Sequence, residues 1–194
     1  MLELRERSPA IIARPEVRVS IADKDAARKV GLAVVRFALE LGRPLRGDVV
    51  VLCVGTDRST GDALGPLVGQ HLKESVPENI HVYGTLDLPV HATNWADTLS
   101  QMERIHPGAM VIGLDACLGG LESVGTVAIG RGKLKPGAGV QKNLPSAGDI
   151  YITGVVNVGG FIEYLVLQNT RLNLVWKMHS VILAGLLEAL PRLY

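Results

Sequence analysis

In two segments of this chain, Asp48 to Val54 (DVVVLCV) and Met110 to Ala116 (MVIGLDA), apolar residues follow one another without alternation. A strand with one wet face alternates apolar and polar residues, because successive side chains point to opposite faces. A strand apolar on both faces must be covered on both, which is the usual state of a parallel sheet between helices. The segments between the strands supply those helices. Ala26, Val30, Ala33, Phe37 and Leu41 recur at three and four residues, after Asp23 and before the helix-stopping Gly42. Leu64, Leu67, Val68 and Leu72 repeat the pattern, and Trp95, Leu99 and Met102 mark one face of a helix within His91 to His106. Further strands are expected at Ile80 to Leu86, Val124 to Gly130 and Asp149 to Val156, and closing helices at Val158 to Leu167 and Leu174 to Leu190. Strands alternating with helices predict an α/β layer fold with a largely parallel sheet. Residues 1–22 have little periodicity and are expected to form an N-terminal arm, with 23–194 as a single α/β domain.

Composition narrows the function classes. Apolar residues are 47% and charged ones 20% of 194 residues, the balance of a folded globule. Aromatics are 4%, so the core is built from aliphatic side chains. A formal net charge of +1 gives no pull toward nucleic acid or an anionic membrane, and neither is expected as a partner. Two cysteines, Cys53 and Cys117, are too few for a disulfide framework and are expected to be buried, reduced thiols. The N-terminus has no apolar signal-peptide core, and no stretch approaches the ~20 uninterrupted apolar residues of a membrane span. The expected location is the cytoplasm.

In open α/β sheets, ligands gather beyond the carboxyl ends of the strands. Two acids are expected there: Asp115, which ends the MVIGLDA strand, and Asp62, which ends the loop after DVVVLCV and begins a helix. Two carboxyls in one cleft can divide the work of hydrolysis, one activating a water and the other, protonated, polarising a carbonyl. The structural alternatives are a helix cap for Asp62 and a turn bond for Asp115. The loop GTDRSTGD has neither the Lys-Ser/Thr of a phosphate-binding P-loop nor a GxGxxG pattern, and Asp62 would repel a phosphate at the helix start. No histidine is spaced as a partner base for Cys117. The segment from Gly130 to Gly148, with Lys133, Lys135, Lys142, Gly137 and Gly139, reads as a long loop able to act as a flap over the cleft.

GTDRSTGDALGP, VIGLDA and KPGAGV together resemble the YyaC-type sporulation protein family of endospore-forming bacteria, from about Val49 onward. That family is similar to the spore germination protease and, more distantly, to hydrogenase-maturation endopeptidases. The resemblance implies a three-layer α/β/α sandwich of the phosphorylase/hydrolase type with a mixed central sheet. It also implies an aspartic-type peptidase acting on a protein or peptide, with Asp62 and Asp115 catalytic and a forespore or spore-interior location. The maturation endopeptidases bind nickel with these two acidic positions plus a histidine; the matching segment here, NVGGF, holds Asn157. An amide oxygen is a poor nickel ligand, so no metal and no cofactor are expected in the cleft. Asn157, Lys142, Asp87 and His91 are the expected substrate-binding positions. The alternative reading is a non-catalytic binding or regulatory protein of sporulation that keeps the fold; a homo-oligomer is left open.

Overall fold

The structure, a computed structural model, describes residues 16–42, 47–136, 144–160 and 162–193. Among them, six strands form one sheet: β1 (Glu16–Ser20), β2 (Val49–Cys53), β3 (Ile80–Tyr83), β4 (Met110–Gly119), β5 (Thr126–Arg131) and β6 (Ile150–Val158). The order across the sheet is β1-β5-β6-β4-β2-β3. β3, β2, β4 and β6 are parallel neighbours, whereas β5 runs antiparallel to both β6 and β1. The helices are α1 (Ala26–Glu40), α2 (Leu64–Lys73), α3 (Trp95–Ile105), α4 (Glu163–Gln168) and α5 (Leu172–Ala189).

The unbroken apolar runs are explained by cores on both faces. Val49, Val51 and Cys53 of β2 face a large core with α1, α2 and α5, while Val50, Leu52 and Val54 face a smaller one with Trp95 and Met102 of α3. All five residues of β2 are at most 1% exposed. The result is the three-layer α/β/α sandwich with a mixed, mostly parallel sheet. α5 is long and apolar enough to cross a membrane by length and composition. Here Val175, Met178, Ile182 and Leu186 of this helix are fully buried in the larger core.

Three expectations need correction. Residues 16–20 lie in the segment read as an arm, yet they form β1, an edge strand paired with β5 from Glu16↔Gly130 to Ser20↔Thr126. Five residues beside an isolated charged segment carry too weak a pattern to announce a strand whose partner lies over a hundred residues away. Asp115 does not end its strand. β4 continues to Gly119, because β6 pairs with it through Val158 after β2 has stopped opposite Leu114. The helix expected from Val158 begins only at Glu163, since Val158 still belongs to β6.

The topology has one switch point. The chain leaves β2 through α2 for β3 on the outer side, then returns through α3 to β4 on the inner side. α2 and α3 cover opposite faces, so a crevice opens between them above the carboxyl ends of β2 and β4, where such folds place ligands.

Candidate functional site

Above this switch point lies a cleft of about 980 Å³ whose lining includes both Asp62 and Asp115. Each acid arrives there for a local reason. Strand alternation turns Ile112 and Leu114 of β4 into the larger core, and therefore Asp115 and Cys117 toward the other face. β2 ends opposite Leu114, so Asp115 is the first β4 residue on that side with no neighbour on the β2 strand. Its Oδ1 accepts the amide of Ala116 at 2.8 Å. Across the ladder its register partner is Thr153 of β6, also in the cleft wall.

Asp62 is held over the end of β2 by two close backbone approaches. A Cβ on Gly65 would stand 2.0 Å from the Val54 carbonyl oxygen, so only glycine lets α2 begin this close to the strand. Gly55 has φ +142°, and a Cβ there would stand 2.0 Å from the Asp62 carbonyl oxygen. The loop closes on main-chain atoms, with Thr56 N–H donating to Asp62 C=O at 3.2 Å and Gly55 N–H to Val90 C=O at 2.8 Å. Asp62 sits inside a single 3₁₀ turn, Gly61–Ala63, and neither that turn nor α2 has a side-chain cap bond. The helix-cap alternative is therefore not what the Asp62 carboxyl does. Burial raises its pKa above the ordinary carboxylate value.

The rest of the wall mixes polar and apolar groups. His91 is in the lining, its Nδ1 2.9 Å from the Thr93 hydroxyl. Lys133 and Lys135 are exposed on the rim. They belong to the long loop after β5, whose base is less free than its composition suggests. Leu134 and Ala147 exchange backbone bonds of 2.7 and 3.1 Å, and Trp95 Nε1 donates to the Pro145 carbonyl at 2.8 Å. Residues 137–143, with Gly137, Gly139 and Lys142, lie outside the described residues.

Cys53 is buried as expected, and its pKa is pushed up to about 12 by that burial. Cys117 corrects the expectation: it is only partly buried and faces the cleft. The cause is again alternation, since Cys117 shares its face with Asp115. Its thiol is still held protonated, by burial first and by the neighbouring charge of Asp115 second, against a hydrogen bond from Thr153. That is the opposite of the environment that activates a thiol nucleophile.

Two further positions are not among the cleft-lining residues. Asp87 is exposed in the loop after β3. Asn157 ties β6 to the segment around α4: its Nδ2 donates to the Val166 carbonyl at 3.3 Å and the Thr170 hydroxyl at 3.2 Å, while its Oδ1 accepts the Val158 amide at 2.9 Å. With both ends of the amide engaged, Asn157 positions α4, which lends Glu163 and Leu167 to the wall. Thr153, Tyr151 and Glu163 are cleft residues that sequence reading missed. The alternation of β6 could have pointed to Thr153 and Tyr151 once that strand was known to adjoin β4.

A solved structure, the [NiFe] hydrogenase maturation protease HycI from Thermococcus kodakarensis KOD1, aligns with a TM-score of 0.49 and 19% identity, over 75% of this chain and 93% of that one. The uncharacterized protein YyaC of Bacillus subtilis (strain 168) is 52% identical over 174 residues, 90% of this chain and 84% of the relative. Residues 18–185 match the family described as "Protein of unknown function (DUF1256)", and the chain belongs to that family.

Proposed function

We propose that this protein is a peptidase of sporulation or germination that hydrolyses a peptide bond with Asp62, Asp115 and a water. The observation that carries the reading is the meeting of two acids in one cleft at the switch point, one of them a partly buried carboxyl that caps no helix. Burial raises the Asp62 pKa. In the proposed reaction the water and the scissile carbonyl lie between the two acids. Asp62, the acid whose neutral form burial favours, donates to the carbonyl oxygen as negative charge develops on it. Asp115 takes the proton of the attacking water. The proton on Asp62 is later passed to the leaving amine, and the proton that Asp115 took from the water returns to Asp62, which restores both acids to their starting states. Lys133 and Lys135 on the rim suit a substrate segment with acidic residues. The sequence resemblance to the spore germination protease at DALGP and LDA supports the same residues and a spore-interior setting.

The test is mass spectrometry of soluble spore proteins and of a mixed peptide library incubated with wild type, Asp62→Asn and Asp115→Asn. New termini made by wild type and by neither variant are expected. Equal cleavage by all three, or cleavage by none while the protein retains a bound spore polypeptide, turns the reading to a non-catalytic binding protein.

A further inference from the structure

At the opposite, amino end of the parallel strands, three side chains with metal-binding atoms converge. Asp48 precedes β2, His81 lies in β3 and His106 follows α3. The parallel register sets Val50 opposite His81 and Leu52 opposite Tyr83, and alternation puts Asp48 on the face of Val50 and Leu52. That face is the one α3 covers, and His106 is the residue at which α3 ends. The convergence is thus a product of register and helix length, and it lies outside the cleft.

Asp48 Oδ2 is 3.3 Å from His106 Nδ1 and 3.4 Å from His81 Nε2, and all three ligand atoms lie within 4.8 Å of one another. Ligands at roughly 2.0–2.1 Å from a tetrahedral zinc ion are separated by about 3.3–3.4 Å, whereas cis ligands of an octahedral ion at the same distance would be about 2.8–3.0 Å apart. The two separations from Asp48 lie close to the tetrahedral spacing before the rings turn to receive an ion. The His106 side chain is 8% exposed, and its other nitrogen, Nε2, is 3.1 Å from the Tyr83 hydroxyl. A ligating Nδ1 leaves the proton on Nε2, and the phenol oxygen can accept it, the outer-shell arrangement that fixes a ligating imidazole. His81 Nε2 is buried with no hydrogen-bond partner among the described residues. A buried imidazole nitrogen that makes no hydrogen bond and faces the Asp48 carboxylate at 3.4 Å carries a desolvation cost that a bound cation would reduce.

We propose that Asp48, His81 and His106 bind one zinc ion, with a fourth position left to water or an incoming ligand. The two imidazoles stack with ring centroids 3.8 Å apart and 24° between planes. A nitrogen lone pair lies in the plane of its ring, so capture of the ion opens this stack. His81, with a side chain 27% exposed, is the ring with room to turn. The ion would clamp the start of β2 and the body of β3 to the end of α3. Imidazole and carboxylate donors suit zinc, and the absence of a thiolate in the set leaves affinity dependent on the two histidines.

The test is zinc titration of the chelator-treated full chain, read by calorimetry, metal analysis and melting temperature, with cobalt(II) as a visible probe of coordination. One equivalent, a raised melting temperature and tetrahedral cobalt absorption without a thiolate charge-transfer band are expected. His81→Ala should abolish binding, Asp48→Asn should weaken it at least tenfold, and Tyr83→Phe should weaken it about tenfold as an outer-shell change. Should His106→Ala fail to fold, the two more exposed positions, Asp48 and His81, still decide the matter. Asp62→Asn/Asp115→Asn should bind zinc as wild type does. No binding by wild type, full binding by His81→Ala, or loss of binding in the cleft variant would each overturn the site. None of these outcomes bears on peptide cleavage.

Discussion

The Thr56 amide donates to the Asp62 carbonyl at 3.2 Å, so the loop after β2 closes on the backbone of Asp62 and leaves its side chain to the cleft. Backbone closure and carboxyl chemistry are separable at this residue, and stability can therefore be tested apart from activity.

Burial raises the Asp62 pKa, so the folded state favours the protonated carboxyl. Between the unfolded value and the raised folded value the native state binds more protons than the unfolded one. Stability from this group is present below the unfolded pKa and falls as pH rises through the folded pKa. Asp62→Asn removes that dependence. Thermal melts from pH 3 to 8 should show the variant gaining on wild type as pH rises and melting no lower at neutral pH. A variant that melts clearly lower at pH 7 would mean that the carboxylate holds structure.

Under the proposed reaction, Asp62→Asn and Asp115→Asn each abolish turnover, and the double variant is little worse than either, because groups acting as one unit are non-additive. Initial rates on any peptide found to be cleaved check this. Additive partial losses would assign the residues to binding instead.

Cys117 offers a reporter inside the cleft. Its thiol is raised by burial and then by the Asp115 charge. Alkylation at neutral pH should be slow, and Asp115→Asn should speed it, because the like charge is gone. Cys117→Ser should leave turnover largely intact. Unchanged alkylation in Asp115→Asn would show that the Asp115 charge does not reach the thiol.

Gly65→Ala should go against the usual helix preference. In an open helix, glycine to alanine stabilises by roughly 0.5–1 kcal/mol. Here the new Cβ would meet the Val54 carbonyl oxygen at 2.0 Å. Urea denaturation should show a loss of about 1–3 kcal/mol or more, the range of an overpacked site. A gain would mean that α2 can lift from β2 without cost.

Asn157→Ala removes the donor to Val166 and Thr170. Each lost bond costs about 1 kcal/mol, and α4 should loosen more than the sheet does. Hydrogen exchange resolved by residue is the measurement: faster exchange confined to 163–170 is expected, and uniform change across the sheet would contradict a positioning role.

What the sequence determined by itself is local and periodic. Consecutive apolar residues in β2 and β4 forced a covered sheet, and three-and-four spacing set α1, α2 and the face of α3, because burial of one side acts over a few residues at a time. Asp62 and Asp115 were legible by their place on the carboxyl side of runs that had to be buried: Asp115 directly after apolar residues, Asp62 at the end of the loop that follows β2. Only the tertiary structure decided which strands are neighbours, and pairing over long separations leaves little trace in any one segment. It made 16–20 an edge strand through β5, carried β4 past Asp115 through β6, and turned Cys117 into the cleft. It also gathered Asp48, His81 and His106, separated by dozens of residues, at the far end of the sheet, where the β2–β3 register and the length of α3 bring their side chains to one point.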